Sequence, residues 1–417
     1  MNDYGMAIVG AGEAGVRAAL ELRELGWSGS ITLIGGEERL PYERPPLSKQ
    51  ALTEEHELPP IDIVSEQTLL DQRIRYVSGA AALSIDRENH RIALSDGSEL
   101  GYERLLLATG ALPRRLSLPG AGTDGVLYLR THADALALRR ALQPGRRIAV
   151  IGGGFIGLET AASAVKRGCR VHLIEAAPRI LMRGVPEPIA QAMEARHREA
   201  GVEFTIGVGL ERIDVDGGEF VVALADGRSV RADAVIAGIG AVPVTGLAEA
   251  AGLAIDNGIR VDEALFTSDP DILAAGDCCS FPHPLYGGRR IRLEAWRNAR
   301  DQGAHAARNM LGGSPEPYAA VPWFWSDQYD LTIQVAGLAG LSGGTETTVM
   351  RDLGAAGKLY FHLGEDGTLR AVSGIGPEGA VGKDIRLAEM LIERRALISL
   401  DAAADPAVKL KGLLRGV

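Results

Sequence analysis

Residues 146–176, RRIAVIGGGFIGLETAASAVKRGCRVHLIEA, hold an apolar strand run from Ile148 to Ile151 and then a three-glycine turn. A small-residue helix through Val165 follows, and a second strand, Arg170 to Ile174, stops at Glu175. Strand, glycines, helix, strand and terminal acid fall in the order of a mononucleotide-binding unit. Gly152 permits the tight turn, Gly154 lets backbone N–H groups approach a pyrophosphate at the helix N-terminus, and Gly157 lets the helix pack close to the strand. Glu175 comes 18 residues after the last glycine, where a carboxylate accepts hydrogen bonds from a ribose 2′-hydroxyl. It would repel a 2′-phosphate, and no arginine follows immediately to accept one, so the pattern predicts NADH rather than NADPH. A glycine-rich turn of purely structural meaning is the alternative for such a motif taken alone.

The 417 residues suggest about three domains, and 46% hydrophobic with 24% charged residues is ordinary for a globular protein. The 53 glycines exceed average usage without any repeat, as expected of an α/β chain with many tight turns. Three cysteines outside CxxC spacing argue against a disulfide framework or a zinc site, and the eight histidines show no metal-ligand spacing. With no signal-like N-terminus and no long apolar run, the expectation is a soluble cytoplasmic protein without membrane or metal. A net charge of −10 disfavours nucleic acid.

A second copy of the fingerprint opens the chain: strand Met6–Val9, GAGEAG at Gly10–Gly15, a helix to about Leu25, and strand Ser30–Ile34. Two dinucleotide folds imply two dinucleotides, and the partner of an NAD site in a redox enzyme is FAD. Counting from the central unit puts the ribose acid at position 36, which is Gly36, so Glu37, one residue later, is assigned the contact. The fold class is therefore α/β, with FAD and NAD Rossmann-like domains. Strand Leu105–Leu107 with its glycine turn is echoed by Ala234–Ala237 with Gly238-Ile239-Gly240, so the NAD unit is read as inserted into the FAD unit.

GAGEAG, PYERPPLSK, LLLATG, GGGFIGLE, AAGD and PWFWSDQYD, in this order between residues 10 and 330, resemble the FAD-dependent ferredoxin reductases that serve bacterial aromatic-ring dioxygenases and cytochrome P450s. The resemblance covers nearly the whole chain. It implies an FAD domain over residues 1–113 and 243–320, an NAD domain over 114–242 and a small C-terminal α/β domain over 321–417. It also implies that Lys49 lies near the flavin and pairs with Glu159, the alternative being an inter-domain salt bridge alone. By the same resemblance Ala82, Ala108, Thr109, Gly110 and Arg130 border FAD, the alternative for Arg130 being a surface arginine at a helix start; Gly276 and Asp277 hold its ribitol and pyrophosphate side, and Trp325 stands nearest cofactor and acceptor. Ala295 and Trp296 open a helix whose N-terminus would stabilise charge on reduced flavin. With Gly10, Gly12, Ala14, Gly15, Glu37 and Arg44 these complete the FAD set; the NAD set is Gly152, Gly154, Ile156, Gly157, Glu159, Glu175, Arg183 and Gly240. Lys49, Glu159 and Trp325 are the candidate catalytic residues.

No cysteine pair precedes Cys169, so the dithiol of flavin disulfide reductases is missing, and Cys278-Cys279 reads as structural. Electrons would leave the flavin directly, for an acidic [2Fe–2S] ferredoxin feeding a ring-hydroxylating dioxygenase or a cytochrome P450. The competing readings are a reductase of a small acceptor such as a quinone or monodehydroascorbate, a reductase of rubredoxin, and an NADH-responsive signalling flavoprotein like apoptosis-inducing factor. Arg289, Arg290, Arg292, Arg297, Arg300 and Arg308, against only Glu294 and Asp301, predict a basic docking face for the ferredoxin, or else a solvated helix face.

Overall fold

A computed structural model describes residues 4–341 and 345–414. In chain order, β1 (Met6–Val9), α1 (Glu13–Glu24), β2 (Ile31–Gly35) and β3 (Ile74–Ser78) are followed by an antiparallel meander, β4 (Ala82–Asp86), β5 (Arg91–Leu94) and β6 (Glu99–Gly101), and by β7 (Arg104–Leu107). β8 (Ala111–Pro113) then leads out to β9 (Val126–Leu127) and α2 (His132–Ala141). The inserted unit continues through β10 (Arg147–Ile151), α3 (Phe155–Lys166), β11 (Arg170–Glu175), α4 (Glu187–Glu199) and β12 (Glu203–Ile206). A second meander, β13 (Leu210–Asp216), β14 (Glu219–Leu224) and β15 (Ser229–Ala232), precedes β16 (Ala234–Ala237). β17 (Ala241–Pro243) returns antiparallel to β8, so both crossings between the units run through one two-stranded ribbon.

The first unit is completed by β18 (Ile259–Arg260), β19 (Ile272–Ala274), β20 (Cys279–His283), β21 (Arg289–Ile291) and α5 (Trp296–Met310). Its parallel sheet runs β19-β7-β1-β2-β3 and that of the inserted unit runs β12-β11-β10-β16-β9. Reversed, the second order matches the first strand for strand, except that the outer strand beside the post-meander strand is β19 in one unit and β9 in the other. Apart from Arg104 and Arg147 at their first positions, the central strands are apolar, as sheets covered on both faces require.

The C-terminal segment is a five-stranded antiparallel sheet, β22 (Trp323–Gln328), β23 (Leu331–Gly337), β24 (Glu346–Asp352), β25 (Lys358–Gly364) and β26 (Leu369–Pro377), in the order β22-β23-β26-β25-β24, backed by α6 (Gly382–Glu393). Its Ile333, Val335, Tyr360 and Ile375 join one apolar cluster with Leu158 and Ile180 of the inserted unit and with Tyr42, Leu47 and Leu52 of the first. All three units therefore share a core.

Helices α1 and α5 approach most closely where Gly303 lies against Ala14: a Cβ on Gly303 would stand 2.2 Å from the Ala14 carbonyl oxygen. That atom is rigid backbone in the first turn of α1, so the helices must separate to admit a methyl group. Gly303→Ala is expected to destabilise the protein by about 1–3 kcal/mol, read as a lowered midpoint in denaturant with an unchanged slope. An unchanged midpoint would mean that the contact is slack.

Candidate active site

The two glycine turns lie at the carboxyl ends of β1 and β10, where each sheet order reverses, the usual crevice for a ligand of a doubly wound sheet. Gly10 has φ 113°, and a Cβ there would lie 2.0 Å from the Ala108 carbonyl oxygen; Gly152 has φ 101°, with Gly238 O at 2.4 Å. Cβ atoms at Gly15 and Gly157 would each fall 1.9 Å from the carbonyl oxygen of the preceding turn glycine. Gly12 and Gly154 differ. A Cβ on Gly12 meets nothing within 4 Å, and on Gly154 only Gly238 O at 4.0 Å. The space before each helix N-terminus is open, and its N–H groups fit a diphosphate.

Around the first turn, the Tyr42 hydroxyl donates to Glu37 at 2.7 Å and Arg44 donates to the other carboxylate oxygen at 3.1 Å. Arg44 also donates to the Arg130 carbonyl at 2.6 Å, and the Arg130 guanidinium stands 3.2 Å from Asp277. Arg130 is set by the capping box Thr131–Asp134 that opens α2, since its own N–H donates to Asp134 at 3.0 Å. Burial pushes the Asp277 carboxyl above the usual range, against the pull of Arg130. The Thr109 hydroxyl donates to Val244 O at 2.6 Å, and Gly276 donates its N–H to Gln302 at 2.8 Å, tying the turns after β7 and β19 to the return strand and to α5. A Cβ on Gly110 would touch Arg130 at 3.1 Å, one on Gly276 would touch Ala14 at 3.2 Å, and Ala82 opens the meander half-buried.

Glu159 of α3 is buried, and Lys49 stands 2.9 Å from it. The Ser48 hydroxyl donates to the same carboxylate oxygen, and Ser326 of β22 donates to the other at 2.6 Å. Ser163, one turn further along α3, donates to Ser48 O at 2.7 Å. Loop, helix and C-terminal strand thus meet on one carboxylate. The proline-rich segment forms a 3₁₀ turn over Pro45–Ser48, with Pro45 and Pro46 at its first positions. Trp325 lies edge-on to Trp296 at 6.1 Å and stacks on Trp323 at 5.3 Å, while Phe324 packs on Phe155 across the unit boundary.

In the inserted unit Glu175 ends β11 and accepts from the N–H of Gly153 at 2.6 Å and of Ala177 at 2.7 Å, which sets the acid beside the glycine turn. Ile156 and Gly240 are exposed, the latter at φ 106°. Arg179 spends its guanidinium on the carbonyls of Ile180, Leu181, Met182 and Val185, whereas Arg183 is exposed and forms no ion pair among the described residues.

The six-arginine docking face does not survive as a set. Arg292 pairs with Glu294 at 2.6 Å and Arg308 with Glu21 at 3.0 Å, and Arg297 grips Glu389 through both terminal nitrogens. Arg290 donates to the carbonyls of Val261 and Ser280. Arg289, which donates to Leu341 O, and Arg300, whose guanidinium lies 5.5 Å above the Trp296 ring, keep exposed charge. Cys278 and Cys279 are fully buried, and burial raises both thiols, so neither is a surface nucleophile. Tyr42, Ser48, Gln302 and Ser326 carry site contacts that the sequence reading does not single out. Tyr42, Ser48 and Ser326 lie inside recognised motifs, whereas Gln302 has only a long-range signal.

Residues 4–303 match the family described as pyridine nucleotide-disulphide oxidoreductase, and residues 323–414 match the reductase C-terminal domain. Over 408 residues the chain is 42% identical to the ferredoxin–NAD(+) reductase component of the anthranilate 1,2-dioxygenase system of Burkholderia cepacia, covering 98% of each. It is 40% identical over 352 residues to putidaredoxin reductase CamA of Pseudomonas putida, covering 83% of this chain and 82% of that one. A crystal structure of the covalent putidaredoxin reductase–putidaredoxin complex superposes with a TM-score of 0.91 at 36% identity, over 100% of this chain and 99% of that one. Among the described residues no helix is long and apolar enough to cross a membrane.

Replacing Glu175 removes both the acid that the sequence assigns to a ribose and the clamp on Gly153. Glu175→Ala is therefore expected to raise KM for NADH and to narrow the preference over NADPH by about tenfold, the size of one lost charge-assisted contact. Steady-state kinetics with both nucleotides decide this, and an undiminished preference would move discrimination to another residue.

Proposed function

The chain belongs to the pyridine nucleotide-disulphide oxidoreductase family and carries its ferredoxin-reductase type of C-terminal domain, and on that footing we propose that it passes electrons from NADH through FAD to a [2Fe–2S] ferredoxin serving a ring-hydroxylating dioxygenase or a cytochrome P450. FAD bound here supplies the exchange between a two-electron hydride donor and a one-electron acceptor. The observation that carries the reading is the aromatic run Trp296, Trp325, Trp323 at the α5 N-terminus, in a chain with no cysteine before Cys169 to supply the dithiol of a disulfide reductase. The chain's only vicinal cysteines are buried behind β19.

The first unit is assigned FAD and the inserted unit NADH. Gly12 and Gly154 offer the two diphosphate cradles, Arg44, Arg130 and Asp277 line the first, and Glu175 meets the ribose at the second. Lys49 is assigned the place beside the flavin, where its ammonium favours negative charge on the reduced ring and Glu159 fixes its direction. The N-terminus of α5 adds the same sign of potential through Ala295 and Trp296. Trp325 screens the ring on the side from which electrons leave.

An acidic partner is the complement of the cations left uncompensated near that exit. Arg300 beside Trp296 is the chief of these, and its steering should weaken as salt shortens the Debye length to about 8 Å.

The purified protein should be yellow, release FAD on heating, and turn over NADH with a [2Fe–2S] ferredoxin at higher kcat/KM than with a quinone. Arg300→Gln should raise KM for ferredoxin several-fold at low salt (about 1 kcal/mol) and flatten its salt dependence, with flavin reduction by NADH keeping its wild-type rate. Preference for the quinone would favour the small-acceptor reading, and salt dependence unaltered in Arg300→Gln would place docking elsewhere.

A further inference from the structure

The two dinucleotide units share their glycine geometry but differ in the residue that opens the helix. Behind Gly154 stands Phe155, packed on Phe324; behind Gly12 stands Glu13, the one acid in the first turn of α1. The Glu13 carboxyl lies beside the start of α5, where the Trp296 indole N–H donates to Glu43 at 2.7 Å. Facing it are Glu43 from the proline-rich loop, Arg300 and Trp296 from α5, and Arg17 from its own helix. Arg17 is already engaged by Glu21 and Glu24, and Arg300 lies over the Trp296 ring. Oε2 of Glu13 is buried and has no hydrogen-bond partner among the described residues.

An ionised Glu13 would be a partly desolvated charge next to a second carboxyl, in a turn whose ligand brings two more negative charges. A protonated Glu13 is instead a donor lacking only an acceptor, and the cofactor stretch at this turn is rich in oxygen acceptors. Resting on the FAD assignment above, we infer that Glu13 binds FAD as a neutral carboxylic acid, donating Oε2–H to the oxygen-rich diphosphate and ribityl stretch, so that FAD retention is linked to one proton.

Burial first, and then Glu43, push the Glu13 carboxyl up to about 7, while Arg300, Arg17 and Trp296 pull the other way. A bound diphosphate raises it further. Below that pH Glu13 is protonated with or without FAD, and affinity is flat. Above it the FAD-free protein ionises and must regain a proton to bind, so Kd rises about tenfold per pH unit until the bound form itself titrates. Glu43→Gln removes the neighbour that opposes ionisation and should start the rise at lower pH.

The test is dilution of the FAD-loaded protein between pH 6 and 9, with released FAD read by its fluorescence. In wild type the apparent Kd should increase at least about tenfold across the window. Glu13→Gln keeps a donor that cannot ionise, and should match wild type at pH 6 within about threefold while staying flat to pH 9. Glu13→Leu should also be flat, but weaker throughout. A wild-type profile without slope, or a slope kept in Glu13→Gln, overturns the role of Glu13. FAD held at pH 6 by all variants would leave the flavoprotein reading standing in that case.

Discussion

A carboxylate buried to 5% exposure at the junction of three units is the constraint on which the rest of this structure depends. Left without partners, the Glu159 charge would cost several kcal/mol, and removing one partner of such a pair typically costs about 3–5 kcal/mol. Its partners come from far apart in the chain: Ser48 and Lys49 from the proline-rich loop and Ser326 from the C-terminal sheet. Neither unit can slide over α3 without stranding the charge. The loop must deliver two consecutive donors to one carboxylate, and the 3₁₀ turn begun by Pro45-Pro46 fixes the backbone that does so.

That junction also explains how a duplicated architecture holds two ligands in a fixed relation. The inserted unit is tied on covalently through a single ribbon, Ala111–Pro113 against Ala241–Pro243, which alone would let it swing. Apolar contact prevents this, because the cluster around Leu158 and Ile180 continues into Leu47 and Leu52 on one side and Ile333 and Val335 on the other. Leaving that cluster would expose apolar side chains from all three units at once.

The central strands of both parallel sheets are legible in the sequence because they are mostly apolar runs feeding glycine turns, a pattern that needs no knowledge of distant residues. The C-terminal sheet is legible in part. Leu331–Val335 and Leu359–Leu363 read as strands, but the edge strand ETTVMRD is largely exposed, and β26 carries Gly374 and Gly376 against strand propensity. Gly374 is there for packing: a Cβ would stand 2.9 Å from Leu359 and 3.2 Å from Ile385. The arginine run reads as a basic face because local composition cannot reveal partners 92 and 287 residues away, Glu389 for Arg297 and Glu21 for Arg308. At the Glu159 junction the resemblance supplies the Lys49 pair, but the same distance hides the contacts from Ser48 and Ser326.

Those long-range pairs change how charge can act at the exit proposed for electrons. In a protein of net charge −10, six arginines within 20 residues look like a field strong enough to steer a partner, but a guanidinium held by its own carboxylate contributes little beyond that pair. Arg297 shows the exchange most clearly, since its grip on Glu389 ties α5 to α6 and its guanidinium also lies 5.5 Å from the Trp323 ring. It serves to seat the C-terminal sheet, and with it Trp325, against Trp296. The segment therefore spends most of its positive charge on holding the aromatic rings in place, and what remains for a partner is concentrated at Arg300, beside those rings. A few free cations at the redox exit select an orientation, whereas a broad basic face would select only a sign.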